Sequence, residues 1–177
     1  MTGNHADELT PWIPLFAALT PDSAYLNIPC CLHDLSGRFL PQTYTIPPEY
    51  LDSLPLPTSS LSSSALAIDT HPLLYPFYHP TPSSINDKSR YTSYQLFLAH
   101  LSLMCGFLPE REALRIPSTK NYGLVGRRRL WDDDGEGKEE GEKKVRREVE
   151  RLLEEVEKKG GSEGWKARVP EGKAGEH

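Results

Sequence analysis

At 177 residues and a net charge of −5, the chain is long enough for one domain and too acidic overall to look like a nucleic-acid-binding protein over its whole surface. Apolar residues make up 37%, against roughly 45–50% in globular domains on a count that also includes glycine, so part of the chain is expected outside the core. Three cysteines give no disulfide framework, and acidic residues precede the first apolar run. No run reaches the roughly 18 residues of a membrane span, and together these features predict a cytoplasmic protein.

The first predicted elements are a short helix and a strand. Thr10 and Pro11 form an N-cap and first-turn pair, and apolar residues recur at helical spacing from Trp12 onward. The segment "AYLNIPCCL", residues 24–32, is apolar almost throughout, which is typical of a buried central strand in a parallel sheet. A stretch rich in proline and serine then predicts an irregular insertion over about residues 41–86.

A longer helix and a hairpin follow the insertion. Ser89 is the predicted cap of the helix, one apolar face runs from Tyr94 to Cys105, and Gly106 is a predicted left-handed stop. Leu114 and Ile116 on either side of Arg115 predict a strand, "PSTKN" a turn, and "YGLVG", residues 122–126, the second strand. Helices and strands in this order predict an α/β fold.

The last part of the chain has a different composition. More than half of all charged side chains lie from residue 127 onward, which divides the chain into a body, residues 1–130, and a charged tail, residues 131–177. Within the tail, Val145, Val149, Leu152 and Val156 form one apolar stripe, which predicts a single amphipathic helix. The stripe is too short for a coiled coil, so a solvated or loosely docked helix is expected.

Polar residues with chemical potential first occur in "GNHADELTPW", residues 3–12. The amide of Asn4 and the imidazole of His5 could position a polar substrate atom, and Asp7 or Glu8 could accept a proton. An Asx-type turn with acidic residues at a helix N-terminus explains the same pattern without any catalytic role.

A second cluster, "PCCLHDLSGRF", lies where the predicted central strand ends. It brings together Cys30, Cys31, His33 and Asp34. Zinc would need a further ligand group, and the third cysteine lies in the long helix, so no metal site is predicted. A catalytic thiolate would need a base beside it, which His33 could be, but packed cysteines and a polar cleft wall are the simpler interpretation.

The third cluster follows the first hairpin strand. Ser118, Thr119 and Lys120 lie in the predicted turn just after Arg115, and such a group can hold a phosphate or an oxyanion. Arg127 and Arg128 in "GRRR" are expected to extend a basic strip that could contact an RNA backbone. A polar turn and a basic strand end are the alternative.

Four segments in this order, "GNHADELTPWIP", "IPCCLHDLSG", "SRYTSYQLFLAHLSLMCGF" and "LRIPSTKNYGLVG", resemble the tRNA (uracil-O(2)-)-methyltransferase family. The resemblance covers about residues 3–126 without the insertion. It implies S-adenosylmethionine-dependent methylation of the ribose 2′-hydroxyl of uridine 44 in serine tRNA. It also implies a Rossmann-like methyltransferase domain, of which this chain would be the C-terminal half.

Site residues follow from the resemblance position by position. Lys120, His5, Asp7 and Glu8 are the implied catalytic candidates, with Lys120 and His5 first. Asn4, His5, Cys30 and Cys31 are the implied cofactor-binding residues. The implied RNA-binding residues are His33, Asp34, Arg90, Tyr91, Arg115, Ser118 and Thr119. Arg127 and Arg128 lie beyond the matched segments and are predicted to bind RNA from their charge alone.

The sequence departs from the family pattern in one respect. The family's glycine-rich turn after the first strand and its acidic residue after the second, which bind the cofactor, are absent from these residues. The chain is therefore expected to be inactive alone and to expose unpaired sheet edges. A non-catalytic RNA-binding or partner-binding remnant and a cysteine-dependent RNA base methyltransferase are the two alternatives.

Overall fold

The protein is a mixed α/β structure with four strands and five helices in its described part. The computed structural model describes residues 1–54, 74–78, 89–117, 121–131 and 137–161. In chain order the elements are β1 Thr2–Asn4, α1 Trp12–Ala18, β2 Tyr25–Ile28, α2 Pro48–Asp52, α3 Tyr75–Tyr78, α4 Arg90–Met104, β3 Phe107–Ala113, β4 Tyr122–Arg129 and α5 Lys138–Lys158. None of the described helices is both long and apolar enough to cross a bilayer.

The strands form one sheet in the order β1-β2-β4-β3. β1 and β2 are parallel, with Asn4 opposite Ile28, whereas β4 is antiparallel to both of its neighbours. β2 is therefore a central strand, as predicted, but only one of its neighbours runs parallel to it. At Gly126 the sheet needs a residue without a side chain, because a Cβ there would overlap the Tyr25 ring.

The hairpin is confirmed, but its first strand lies earlier than predicted. β3 ends at Ala113, so Leu114 and Ile116 fall beyond it. Proline normally interrupts a strand ladder. Here Pro109 lies at a register shift between Leu108 and Glu110, where the ladder is already broken.

α4 is confirmed with both of its predicted ends. The Ser89 hydroxyl accepts a hydrogen bond from the Thr92 N–H at 3.2 Å, and Gly106 has a φ of 78° just after the helix. The predicted apolar face packs in the core, and most of the rest of the helix is buried too, since twelve of its 15 residues are buried. Such burial shows that α4 is a core helix with neighbours around its circumference.

The expected solvated or loosely docked helix in the tail is also wrong. α5 contacts α1 and α4, and the stripe of Val145, Val149, Leu152 and Val156 is buried in the same core as α4. The stripe is thus a packing face, while the opposite face carries exposed ion pairs such as Lys143 with Glu139 at 2.7 Å.

Part of the predicted insertion has regular structure. α2 and α3 fall within residues 41–86, and Ile46, Leu51 and Phe77 are buried in the core. The expectation of an irregular segment is therefore wrong for these residues. The remainder of the predicted insertion, residues 55–73 and 79–86, lies outside the described part of the chain.

Candidate functional site

Two polar loops meet at the end of the sheet where β1 and β2 finish, which we call the candidate rim. Because β1 and β2 are parallel, the residues after Asn4 and those after Ile28 emerge side by side. The loop after β1 has two non-glycine residues with left-handed backbones, His5 at φ 51° and Asp7 at φ 45°. Such conformations are costly for residues with a side chain, and they are often found at functional sites.

A side-chain contact joins the two loops at the candidate rim. The Cys30 thiol donates to Asp7 Oδ1 at 3.2 Å, and the Sγ atoms of Cys30 and Cys31 are 3.7 Å apart. One ligand atom from each of these three residues lies within 4.8 Å of the other two. The structure therefore brings Asp7, Cys30 and Cys31 from two predicted clusters into one.

The carboxylate keeps the Cys31 thiol protonated. Hydrogen bonding to Asp7 raises the pKa of Cys31 to about 11, with burial and the neighbouring Cys30 acting in the same direction. A thiol with this pKa is protonated at neutral pH and is a poor nucleophile.

Packing beneath the rim fixes the loop after β1. Gly3 has no space for a side chain, because a Cβ there would lie 2.8 Å from Ile13 and 3.0 Å from the Asn27 amide. The buried Asn27 donates to the Thr10 carbonyl at 2.7 Å. Thr10 was predicted to cap α1, but it is buried in the structure, and Pro11 is the N-cap residue, without a side-chain cap bond.

The start of α4 also reaches the candidate rim. The Tyr91 hydroxyl donates to the Pro29 carbonyl at 3.4 Å, and burial is the main cause that raises the pKa of Tyr91. Arg90, one residue earlier, is exposed. Both are predicted RNA-binding residues, and both lie beside the end of β2.

Asp34 and His33 form a turn just beyond the cysteines. Asp34 Oδ1 accepts hydrogen bonds from the backbone N–H of Ser36 at 2.8 Å and of Gly37 at 2.7 Å. The backbone of His33 forms an isolated antiparallel β-bridge with that of Arg38. Asp34 thus makes an Asx turn. A role of either residue in RNA binding remains a prediction.

The end of β3 and the start of β4 lie at the same end of the sheet as the candidate rim, because β4 pairs antiparallel with β2. Ala113 pairs with Tyr122, and the Leu114 N–H donates to the Asn121 carbonyl at 2.6 Å. Arg115 is exposed beside these residues. Ser118, Thr119 and Lys120 lie outside the described residues, so their roles remain predictions.

The expected continuous basic strip is wrong, because Arg115 and the "GRRR" arginines lie at opposite ends of β4. Arg127 and Arg128 both pair with Glu110, at 2.7 Å and 3.1 Å. The register shift next to Glu110 lets two consecutive residues of β4 reach one carboxylate. A cleft of about 400 Å³, lined in part by Arg129, Trp131 and Arg146, lies at this same opposite end of the sheet.

Sequence reasoning missed one cation near the candidate rim. Arg111 stacks on the Tyr122 ring at 3.4 Å, donates to Gln95 at 2.9 Å and donates to the Pro76 carbonyl at 3.0 Å. Burial is the largest influence on this guanidinium and lowers its pKa. A charged residue inside a strand would have marked Arg111 as a candidate. The prediction placed this strand around residues 114–116, so Arg111 was not recognised as part of it.

Comparison with curated proteins gives a consistent set of relatives. The tRNA (uracil-O(2)-)-methyltransferase of Schizosaccharomyces pombe is 35% identical over 133 residues, covering 75% of this chain and 20% of the relative. The Yarrowia lipolytica protein of the same name is 30% identical over 169 residues, covering 96% of this chain and 21% of the relative. The human "probable tRNA (uracil-O(2)-)-methyltransferase" is 28% identical over 137 residues, covering 77% and 12%.

The mixed sheet and these relatives together place the chain among α/β methyltransferases. More specifically, the chain belongs to the tRNA (uracil-O(2)-)-methyltransferase family. It spans about a fifth or less of the length of the relatives described above and corresponds to their C-terminal part. No family model matches the chain, and no solved structure matches it.

Proposed function

We propose that this chain forms part of a tRNA ribose 2′-O-methyltransferase that uses S-adenosylmethionine and acts on uridine 44 of serine tRNA. The names of the relatives support tRNA methylation. The single structural observation that carries the proposal is the convergence of the two loops at the candidate rim, where Cys30 contacts Asp7. In open α/β sheets, ligands bind beyond the carboxyl ends of the parallel strands.

The proposed domain is Rossmann-like. The support is the strand order, in which the parallel pair β1 and β2 is followed by the antiparallel pair β4 and β3. In the Rossmann-like domain that the resemblance implies, β1 and β2 would be the fourth and fifth strands, and β3 and β4 the terminal antiparallel pair. The three cysteines form no disulfide among the described residues, which fits a reducing, cytoplasmic compartment.

Residues at the candidate rim fit one side of a cofactor site. Asn4, the last residue of β1, and His5, the first residue beyond it, are both exposed and can bind a polar ligand, and the half-buried Cys30 and Cys31 form the adjacent wall. When bound, S-adenosylmethionine supplies an electrophilic methyl group. The chain's own task is then to position the ribose and to take its proton.

Among the proposed bases, the geometry favours His5 over Asp7. The His5 imidazole is exposed at the candidate rim, whereas Asp7 Oδ1 already accepts the Cys30 thiol. Glu8 lies in a one-turn 3-10 helix, Asp7–Leu9, and remains a further candidate. If the ribose oxygen takes the methyl group while the sulfonium carbon–sulfur bond breaks, the hydroxyl proton would pass to His5 or to Lys120 in its neutral form.

The same rim offers contacts for RNA. Arg90, Tyr91 and Arg115 lie around it, and the cationic side chains can pair with phosphates while the tyrosine can stack on a base. We propose that these three residues bind the tRNA together with Ser118 and Thr119, while Lys120 stays a candidate base. Arg127 and Arg128 would contact a more distant part of the RNA backbone, because they lie at the other end of β4.

Cysteine-dependent base methylation is less well supported. That chemistry needs a thiolate, and the pKa of Cys31 is raised to about 11 by its contact with Asp7. A non-catalytic RNA-binding role predicts tRNA binding without methyl transfer.

The decisive test uses two serine-tRNA transcripts, one with uridine and one with 2′-deoxyuridine at position 44. The protein carrying this chain is incubated with each transcript and with methyl-labelled S-adenosylmethionine. Label only in the uridine transcript supports ribose methylation at this position. Equal labelling of both transcripts would contradict it, and tRNA binding without labelling would favour the non-catalytic role.

A second comparison in the same assay tests the residues. His5→Ala and Lys120→Ala should each lower the rate by about a hundredfold or more, as expected for loss of a general base. Leu153→Ala, on the exposed face of α5, is the matched control and should keep the full rate. Full turnover by either test variant would remove that residue from the mechanism.

A further inference from the structure

The unassigned chemistry at the candidate rim is its cluster of two thiols and one carboxylate. We infer that Asp7, Cys30 and Cys31 form a binding site for one thiophilic divalent cation, of which zinc is the best match. Sulfur and oxygen ligands of this kind are those that zinc prefers in proteins. No metal site was predicted from the sequence, because the third cysteine is too distant to be a ligand. In the structure the third ligand is instead the Asp7 carboxylate of the neighbouring loop.

The distances agree with tetrahedral coordination. With zinc–sulfur bonds of about 2.3 Å, two sulfur ligands at tetrahedral angles lie about 3.8 Å apart. The Sγ atoms of Cys30 and Cys31 are 3.7 Å apart. With a zinc–oxygen bond of about 2.1 Å, sulfur and oxygen ligands lie about 3.6 Å apart. The Cys30 Sγ to Asp7 Oδ1 distance is 3.2 Å, so a shift of about 0.4 Å brings this pair to the tetrahedral separation.

The backbone holds the three ligands in place without a metal. The parallel register of β1 and β2 fixes the relative height of the two loops, with Asn4 opposite Ile28. The left-handed conformation of Asp7, at φ 45°, belongs to a loop packed over Gly3. A preorganised set of ligands lowers the entropic cost of binding an ion.

The bonding change is balanced by proton release. Each thiol loses its proton to solvent as its sulfur–metal bond forms, while the Asp7 carboxylate coordinates through a lone pair. Three protein ligands leave a fourth tetrahedral position for water or a substrate oxygen, as in catalytic rather than closed structural zinc sites. Thiols that only hydrogen-bond to Asp7 are the competing explanation of the same geometry.

Cobalt substitution distinguishes the two explanations without any assay of methyl transfer. The purified chain is titrated with Co²⁺ under reducing conditions, and the thiolate-to-cobalt charge-transfer absorption in the near ultraviolet is followed. We expect an absorption that saturates at about one ion per chain and disappears when Zn²⁺ displaces the cobalt. Cys105→Ser is the matched control, because that thiol is fully buried after α4 and belongs to no ligand cluster among the described residues.

Three variants assign the ligands. Cys30→Ser and Cys31→Ser should each lose most of the absorption, and Asp7→Asn should weaken cobalt binding by about tenfold or more while keeping sulfur-based absorption. Circular dichroism reports whether each variant is folded. If a serine variant does not fold, the isosteric Asp7→Asn variant tests the site in its place. No absorption in the folded wild-type chain, or an undiminished absorption in folded Cys30→Ser, would overturn the inference. Either result leaves the methyltransferase proposal untouched, because the cofactor and RNA contacts do not depend on a metal.

Discussion

The clearest test of the packing of α5 compares two neighbouring leucines. Leu152 belongs to the buried stripe and is 7% exposed, whereas Leu153 is on the outer face and is 40% exposed. Replacing either with alanine removes the same three carbon groups and makes the same change in helix propensity. The difference between Leu152→Ala and Leu153→Ala therefore isolates the contribution of packing.

The expected difference follows from burial. Three carbon groups at about 0.8 kcal/mol each give about 2.4 kcal/mol, and an incompletely filled cavity raises this to about 3 kcal/mol for Leu152→Ala. Leu153→Ala should change the free energy of unfolding by about 0.5 kcal/mol or less.

Urea unfolding followed by circular dichroism measures both variants. The midpoint for Leu152→Ala should fall clearly below that of the wild type, at an unchanged slope, while the midpoint for Leu153→Ala should stay close to it. Equal and small effects for the two variants would refute the packing of α5 on the core. Such a result would restore the solvated helix that the sequence predicts.

Two further predictions concern other buried positions. Gly106→Ala should destabilise the fold by about 3 kcal/mol, because its φ is 78° and a Cβ would lie 2.5 Å from Val145 Cγ2. Gly137 also has a positive φ, of 90°, but a Cβ there would have no atom within 4 Å, so Gly137→Ala should cost only about 1 kcal/mol in the same unfolding assay. Similar losses for the two would disprove the steric part of this explanation. Burial lowers the pKa of His100 from 6.5 to about 4, so the folded imidazole is neutral while the unfolded chain gains a proton as the pH falls below 6.5. Stability should fall by about 3 kcal/mol between pH 6.5 and about 4, and His100→Gln should flatten this dependence; an unchanged slope in that variant would assign the effect elsewhere.

Local signals predicted the elements that have clear ends. The cap at Ser89 and the stop at Gly106 delimit α4 in both sequence and structure, because each ending depends on one residue's own conformational preference. β3 was predicted too late in the chain, because its position depends on pairing with β4 and not on the preference of a single residue. Pro109 breaks the apparent strand pattern, and only the register of the partner strand shows that a bulge accommodates it.

The candidate site was predictable as two clusters but not as one contact. Asp7 and Cys30 are 23 residues apart in the chain, and their 3.2 Å contact depends on the parallel pairing of two short strands. The docking of α5 was hidden in a similar way. Its stripe indicates an apolar face, but a stripe alone does not tell whether that face meets solvent, a partner or the chain's own core.

The carboxylate shared by Arg127 and Arg128 has a consequence for any RNA that reaches that surface. Glu110 occupies both guanidinium groups in the way that a phosphate would, with contacts at 2.7 Å and 3.1 Å. An incoming phosphate must therefore exchange with an internal anion instead of neutralising free positive charge. The two arginines would then contribute little to indiscriminate attraction of nucleic acid, and they would favour an RNA whose backbone is held in place by other contacts.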